Sequence, residues 1–150
     1  MSSVEVSRNA PVVAAGEVEV AAPPEVVWDV LTAFERWPSW NPDVRSMSFS
    51  GDAAEGASFR WKAGPGTITS TIRVVDRPRV IGWTGRTFGI DAVHVYRLEP
   101  RGSGTHVTTE ESYEGRLARV FRGPLRTMLK KALDSGLHRL KAEAERCAAS

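Results

Sequence analysis

The chain has 150 residues, 41% hydrophobic and 25% charged, with a net charge of +2, which fits one domain able to bury a core. Five Trp and five Phe argue against disorder, and the single Cys147 excludes a disulfide framework and reads as an inert thiol. No apolar run approaches the ~18 residues of a membrane span, no signal peptide is visible, and cytoplasm is the default compartment.

Residues 1–14 read as a flexible N-terminal arm ahead of one domain over 15–150. Glu-Val-Glu-Val-Ala, within Gly16 to Ala21, alternates with period two and predicts a strand. Pro23-Pro24-Glu25 opens a helix, because Pro suits a first turn where its missing N–H is not needed. Val27, Val30, Leu31 and Phe34 make its apolar stripe. The segment Arg36 to Pro42 is too rich in Pro for a long helix and predicts a helical turn or loop. From Asp43 to Tyr113 turn chemistry divides six short strands, at Gly51-Asp52, Gly64-Pro65-Gly66, Arg77-Pro78, Gly85 to Gly89 and Arg101 to Gly104. Links this short make successive strands antiparallel. A helical pattern then runs from Leu117 to Ala148, and Gly123-Pro124 kinks it or delays its start. The layout is α+β: a curved, seven-stranded antiparallel sheet gripping a long C-terminal helix.

Five words stand along that order: Val18-Glu19-Val20-Ala21-Ala22-Pro23-Pro24-Glu25-Val26-Val27-Trp28-Asp29-Val30-Leu31, Trp37-Pro38-Ser39-Trp40-Asn41-Pro42 and Ile81-Gly82-Trp83-Thr84-Gly85. After them come His94-Val95-Tyr96-Arg97-Leu98 and Gly104-Thr105-His106-Val107-Thr108-Thr109-Glu110-Glu111. The order with these words resembles the START-like or SRPBCC superfamily, the helix-grip fold that includes polyketide cyclase/dehydrase-like proteins. The resemblance spans residues 15–147 and implies a ligand cavity between the concave sheet and the last helix. It does not single out one reaction, because the superfamily spans carriers, receptors and cyclases.

Turn lengths phase the strands. A loop of Arg101 to Gly104 sets Leu98 opposite Val107, Tyr96 opposite Thr109 and His94 opposite Glu111, all on one face. A loop of Arg77-Pro78 pairs Val74 with Ile81 and Ile72 with Trp83. A loop of Pro65-Gly66 pairs Ala63 with Ile68, Trp61 with Ser70 and Phe59 with Ile72. All three place the large apolar residues on the same, inner face. That face also carries Ser70, His94, Tyr96, Thr109, Glu111 and Tyr113, polar groups that are costly to bury unpaired and so point to a cavity.

His94 with Glu111 is the candidate catalytic pair, as acid and base. It reads equally as a polar ligand anchor or as a structural tie between strands, and the carboxylate favours the imidazolium while burial opposes it. Trp40, Phe59, Trp61, Ser70, Ile72, Trp83, Tyr96, Thr109, Tyr113 and Met128 are the candidate ligand-binding residues, whereas Trp28 and Trp37 read as scaffold. His106 and His138 fall on outward or polar positions, so no metal site converges, and no cofactor word is present. Two functions stand open: a binder or carrier of a small hydrophobic aromatic, polyketide-like or lipid-like molecule, and a cofactor-free cyclase, dehydratase or aromatase-like enzyme. Arg116, Arg119, Arg122, Arg126, Lys130 and Lys131 form a basic stretch with no acid between Gly115 and Leu133. It reads as a solvated face or, through Arg119, Arg122 and Arg126, as contact with an acyl carrier protein or an anionic surface. A nucleic-acid site would need a basic face with interleaved aromatics, which this stretch meets only in part, and no nucleic-acid partner is expected.

Overall fold

β1 covers Val12–Val20, beginning inside the stretch expected as an arm. The alternating pattern identified only its second half. Val12 and Ala14 are buried against Ala118, Leu129 and Leu133, partners distant in sequence. The structure is a computed structural model and describes residues 5–49, 51–64 and 66–150. α1 (Pro24–Thr32) starts with Pro in its first turn and buries Val27, Trp28 and Leu31. A 3-10 turn (Phe34–Arg36) leads into the single turn α2 (Trp37–Trp40), where the sequence allowed a turn or loop.

Six strands follow: β2 (Val44–Ser48), β3 (Ser58–Ala63), β4 (Gly66–Asp76), β5 (Val80–Thr87), β6 (Ile90–Arg101) and β7 (Gly104–Glu114). With β1 beside β7 they make one antiparallel sheet, ordered β1-β7-β6-β5-β4-β3-β2. Gly85 is no divider: it lies inside β5 opposite Ala92, and the turn is Phe88-Gly89. α3 (Arg116–Val120) and α4 (Arg122–Ala149) complete the chain. The helical pattern breaks at Phe121, whose φ of −111° and ψ of 35° are not helical, just ahead of Gly123-Pro124.

The β6–β7 register is the one the turn length predicts, with Leu98 opposite Val107, Tyr96 opposite Thr109 and His94 opposite Glu111. The β4–β5 turn takes three residues, Arg77 to Arg79, so Val75 and not Val74 faces Ile81. A bulge between Ile72 and Val74 then restores Ile72 opposite Trp83. In β3–β4 the pairs are Trp61 with Ile68 and Phe59 with Ser70, not Trp61 with Ser70 and Phe59 with Ile72. The expected Pro65-Gly66 turn falls partly on Pro65, which lies outside the described residues, and Gly66 already pairs with Ala63 in β4. The offset is two residues. Side chains alternate with period two, so the inner face survives the error.

α4 lies across the concave face and buries Leu129, Leu133, Leu137, Leu140 and Ala144. Its polar side chains also cap the free edge of β1. Lys130 donates to the Ala15 carbonyl at 2.6 Å, Lys141 to the Glu19 carbonyl at 2.9 Å and Arg126 to the Pro11 carbonyl at 3.4 Å. Ala21 N–H donates to Glu145 at 2.8 Å. An edge strand covered in this way is closed to a further strand. The grip of sheet on helix is therefore apolar at its centre and hydrogen-bonded along β1. No helix among the described residues is long and apolar enough to cross a membrane.

Candidate functional site

Two packed clusters leave a space between them. One gathers Phe34, Trp37, Phe59, Ile72, Ile81 and Trp83 with α1; the other is the smaller group around Val12, Ala118 and Leu129. Between sheet and α4 lies a cavity of about 470 Å³. Its wall is largely apolar: Trp37, Trp61 and Trp83 at one side, Leu125, Met128, Leu129 and Leu133 of α4 at the other, with Phe88 and Leu117 at the mouth. Its polar lining includes Ser70, His94, Tyr96, Glu111 and Tyr113. Trp83 is fixed between Tyr96, stacked at 5.8 Å between centroids, and the edge of Phe34 at 5.5 Å. The Trp61 indole N–H donates to Ser70 at 3.0 Å, which occupies one polar group of the wall with another.

Hydrogen bonds fix where the protons sit. The Thr109 hydroxyl donates to the Val95 carbonyl at 3.0 Å. Its only proton is spent, so at 2.8 Å from His94 Nε2 it must accept. His94 therefore carries its proton on Nε2, and Nδ1 faces Glu111 Oε1 at 3.3 Å. A bare nitrogen lone pair and a carboxylate oxygen would repel each other there, so the pair holds one further proton. Burial decides its owner. Desolvation lowers His94 from 6.5 to about 3 and raises Glu111 from 4.5 to about 8. The resting pair is a neutral imidazole beside a carboxylic acid. The carboxylate effect expected to favour an imidazolium loses to burial, because the two side chains are only 10% and 15% exposed. Desolvation, with Glu111 adding to it, pushes the Tyr96 and Tyr113 phenols upward, so they stay protonated donors.

The residues singled out from sequence divide four ways. His94, Glu111, Trp61, Ser70, Trp83, Tyr96, Tyr113 and Met128 line the cavity. Phe59 and Ile72 do not: they fill the closed end, with Phe59 stacked on Phe34 at 4.6 Å. Thr109 lies behind His94 and orients the ring without facing the cavity. Trp40 lines a separate crevice with Val26, Arg36 and Glu143, between α1 and the end of α4. Trp37, read as scaffold, is the tryptophan of α2 that reaches the cavity, held by its indole N–H on the Leu31 carbonyl at 2.9 Å. The helical turn over a Pro-rich segment exchanged the two. Phe88, Leu117 and Leu125 line the cavity too, although the sequence marks none of them as a site residue; Leu117 and Leu125 fall within the helical pattern, and Phe88 sits in a turn with no period to mark it. His106 lies outside, against Glu17 and Glu19, and no group of three metal-ligating side chains converges among the described residues.

Comparison with solved structures finds the same fold. A START superfamily protein from Mycobacterium smegmatis superposes with a TM-score of 0.77 at 18% identity, over 90% of this chain and 98% of that one. A hypothetical protein from Helicobacter pylori gives 0.81 at 13% identity, over 96% and 99%. The di-domain ARO/CYC protein BexL, from a biosynthetic pathway, gives 0.76 at 18% identity, over 91% of this chain and 52% of that one. No curated protein sequence matches. The family model described as polyketide cyclase / dehydrase and lipid transport matches residues 10–145. The chain belongs to that family, as a START-like ligand-binding domain with the helix-grip fold.

Proposed function

We propose that the chain binds a neutral, flat, mostly apolar molecule bearing a few oxygen substituents, of aromatic, polyketide-like or lipid-like type. One observation carries the reading: a mostly apolar cavity of about 470 Å³ with the uncharged His94–Glu111 pair and the Tyr96 and Tyr113 phenols on β6 and β7 in its wall, and Ser70 and Asp43 further along the lining. That volume suits a small organic ligand. A carboxylate ligand would meet the acceptor oxygens of Glu111 without a fixed cation in the wall. A ligand hydroxyl or carbonyl finds Tyr96, Tyr113 and Glu111. Native mass spectrometry of the purified protein, and titration with a flat hydrophobic fluorophore, test this. Bound probe is expected to quench Trp emission, and Trp83→Phe to reduce that quenching. Glu111→Gln is expected to weaken a hydroxyl-bearing ligand roughly fivefold, the loss of about 1 kcal/mol for one hydrogen bond. A folded protein that binds no probe and no copurified molecule overturns the reading.

The proton held between His94 and Glu111 favours a second reading, a cyclase or dehydratase acting on a folded polyketone. Glu111, raised to about 8, is a carboxylic acid near working pH that can give its proton to a substrate oxygen, while the bare Nδ1 of His94 beside it can accept the proton lost from substrate carbon. The cavity would contribute mainly orientation. Conversion of a model poly-β-ketone by wild type, lost in Glu111→Gln with ligand binding retained, distinguishes enzyme from carrier.

A further inference from the structure

We propose that the cavity mouth docks on an anionic lipid bilayer. Among the described residues the exposed large apolar side chains are Phe88, Leu117, Val120, Phe121 and Met128. They are not scattered. Phe88, Leu117 and Met128 line the cavity, and Val120 and Phe121 lie in the chain between Leu117 and Leu125, which line it too. The β5–β6 turn and the start of α3 are pressed together: a Cβ on Gly115 would fall 2.1 Å from the Gly89 carbonyl oxygen. Five apolar side chains from two segments thus share one end of the molecule. Scattered single hydrophobics are ordinary surface, whereas a gathered set marks a contact.

Phe88 sharpens the point. It is the one described non-glycine residue with positive φ, at 41°, a conformation that favours Gly or Asn. Its ring lies over Gly66, where a Cβ would come within 2.2 Å, and yet it is 65% exposed. A strained turn is holding an aromatic ring outward at the mouth. Val120 and Phe121, 72% and 51% exposed, lie on the α3–α4 junction that follows the Gly115–Gly89 contact.

Charge names the partner. Arg116, Arg119 and Arg122 are exposed on the same segment and make no ion pair among the described residues. Arg126 and Lys130 differ, being engaged on β1. The acids nearby are Glu114, Asp43 and Asp91, the last already paired with Arg86. A surface with exposed apolar side chains and three arginines without an ion pair on the same segment fits hydrocarbon beneath anionic headgroups. A purely acidic protein partner would leave the apolar residues unanswered. The proposal rests on the mouth itself and holds whichever molecule the cavity takes.

Vesicle flotation tests it. Wild type is expected to bind vesicles of phosphatidylcholine containing phosphatidylglycerol at low salt and to bind phosphatidylcholine alone far more weakly. Arg119→Glu with Arg122→Glu is expected to weaken binding about tenfold or more. Val120→Ser with Phe121→Ser, neither lining the cavity, is expected to abolish binding while fluorophore binding in solution persists. Hydrogen exchange of the wild-type protein on vesicles, which needs no variant, is expected to protect Phe88-Gly89 and residues 117–122. Absence of vesicle binding at low salt overturns the proposal. So does binding that survives the serine pair, since that is adsorption by charge alone. A dimer that the serine pair dissolves, or capture by an acyl carrier protein without vesicle binding, would assign the face to another occupant and overturn it as well.

Discussion

Unfolding stability of the wild-type protein is expected to be flat between about pH 4.5 and 6.5 and to fall on both sides, through the neutral His94–Glu111 pair. The signs follow from proton counts. Glu111, raised from 4.5 to about 8, holds a proton in the folded state that the unfolded chain has lost. Its stabilisation is present below 4.5 and is lost as pH climbs toward 8. His94, lowered from 6.5 to about 3, lacks a proton that the unfolded chain binds. Its contribution is present above 6.5 and is lost as pH falls toward 3. Each limb has a slope of about 1.4 kcal/mol per pH unit, and between the two ordinary values the slopes cancel. Glu143 and Glu145, both held low by hydrogen bonds, add to the acid limb only. Glu111→Gln is therefore expected to remove the alkaline limb and to move the stability maximum above pH 6.5. An ion pair would give the wild type a similar profile, because it holds the same number of protons. Nitrogen NMR of the His94 ring separates them: a neutral ring protonated at Nε2 is expected near pH 5.5, in the middle of the flat region. An imidazolium signature there would put the proton on the wrong partner and overturn the assignment.

The opposition of His94 and Glu111 was legible because a tight turn sets the register of two long strands. The hairpin closes at Gly102-Ser103, tighter than the loop expected, but symmetrically, so the pairs are unchanged. The same reasoning slipped by two between β3 and β4 and by one near Arg79, where nothing local says which residues the turn consumes. Faces outlasted registers, since an even slip preserves them and the bulge at Arg73 corrected the odd one. The proton's owner was not legible: a sequence shows that a carboxylate and an imidazole meet, but not how deeply they are buried. Nor was the division of the inner row into cavity and core. Phe59 and Ile72 face inward like Trp61 and Ser70, and only the approach of Phe34 from the helical turn decides that their end is filled. The mouth was least visible, because Phe88 and Phe121 occupy a turn and a helix break, where no period organises the pattern.

Gly115→Ala is expected to destabilise the fold by about 3 kcal/mol, among the larger effects of a single methyl group. Gly115 has φ 111° and ψ 173°, a backbone region essentially closed to residues with a Cβ. The added carbon would also lie 2.1 Å from the Gly89 carbonyl oxygen and 3.1 Å from its carbon. Both contacts are backbone, so no side chain can swing aside; either α3 or the Phe88-Gly89 turn must move. Each carries part of the cavity rim, Leu117 on one and Phe88 on the other. Separation should therefore loosen the rim as well as the fold, raising ligand off-rates in variants that still fold at low temperature. Gly136→Ala is the matched control: the added carbon would meet the Tyr96 hydroxyl at an ordinary 3.9 Å, and its place inside α4 accepts a side chain. It is expected to stay within about 0.5 kcal/mol of wild type or to stabilise slightly, since Ala is the better helix former. Urea unfolding of the two variants measures the difference. Equal midpoints would mean that the turn and α3 are not in register at Gly115, and the mouth would then lack the close contact that gathers its apolar side chains.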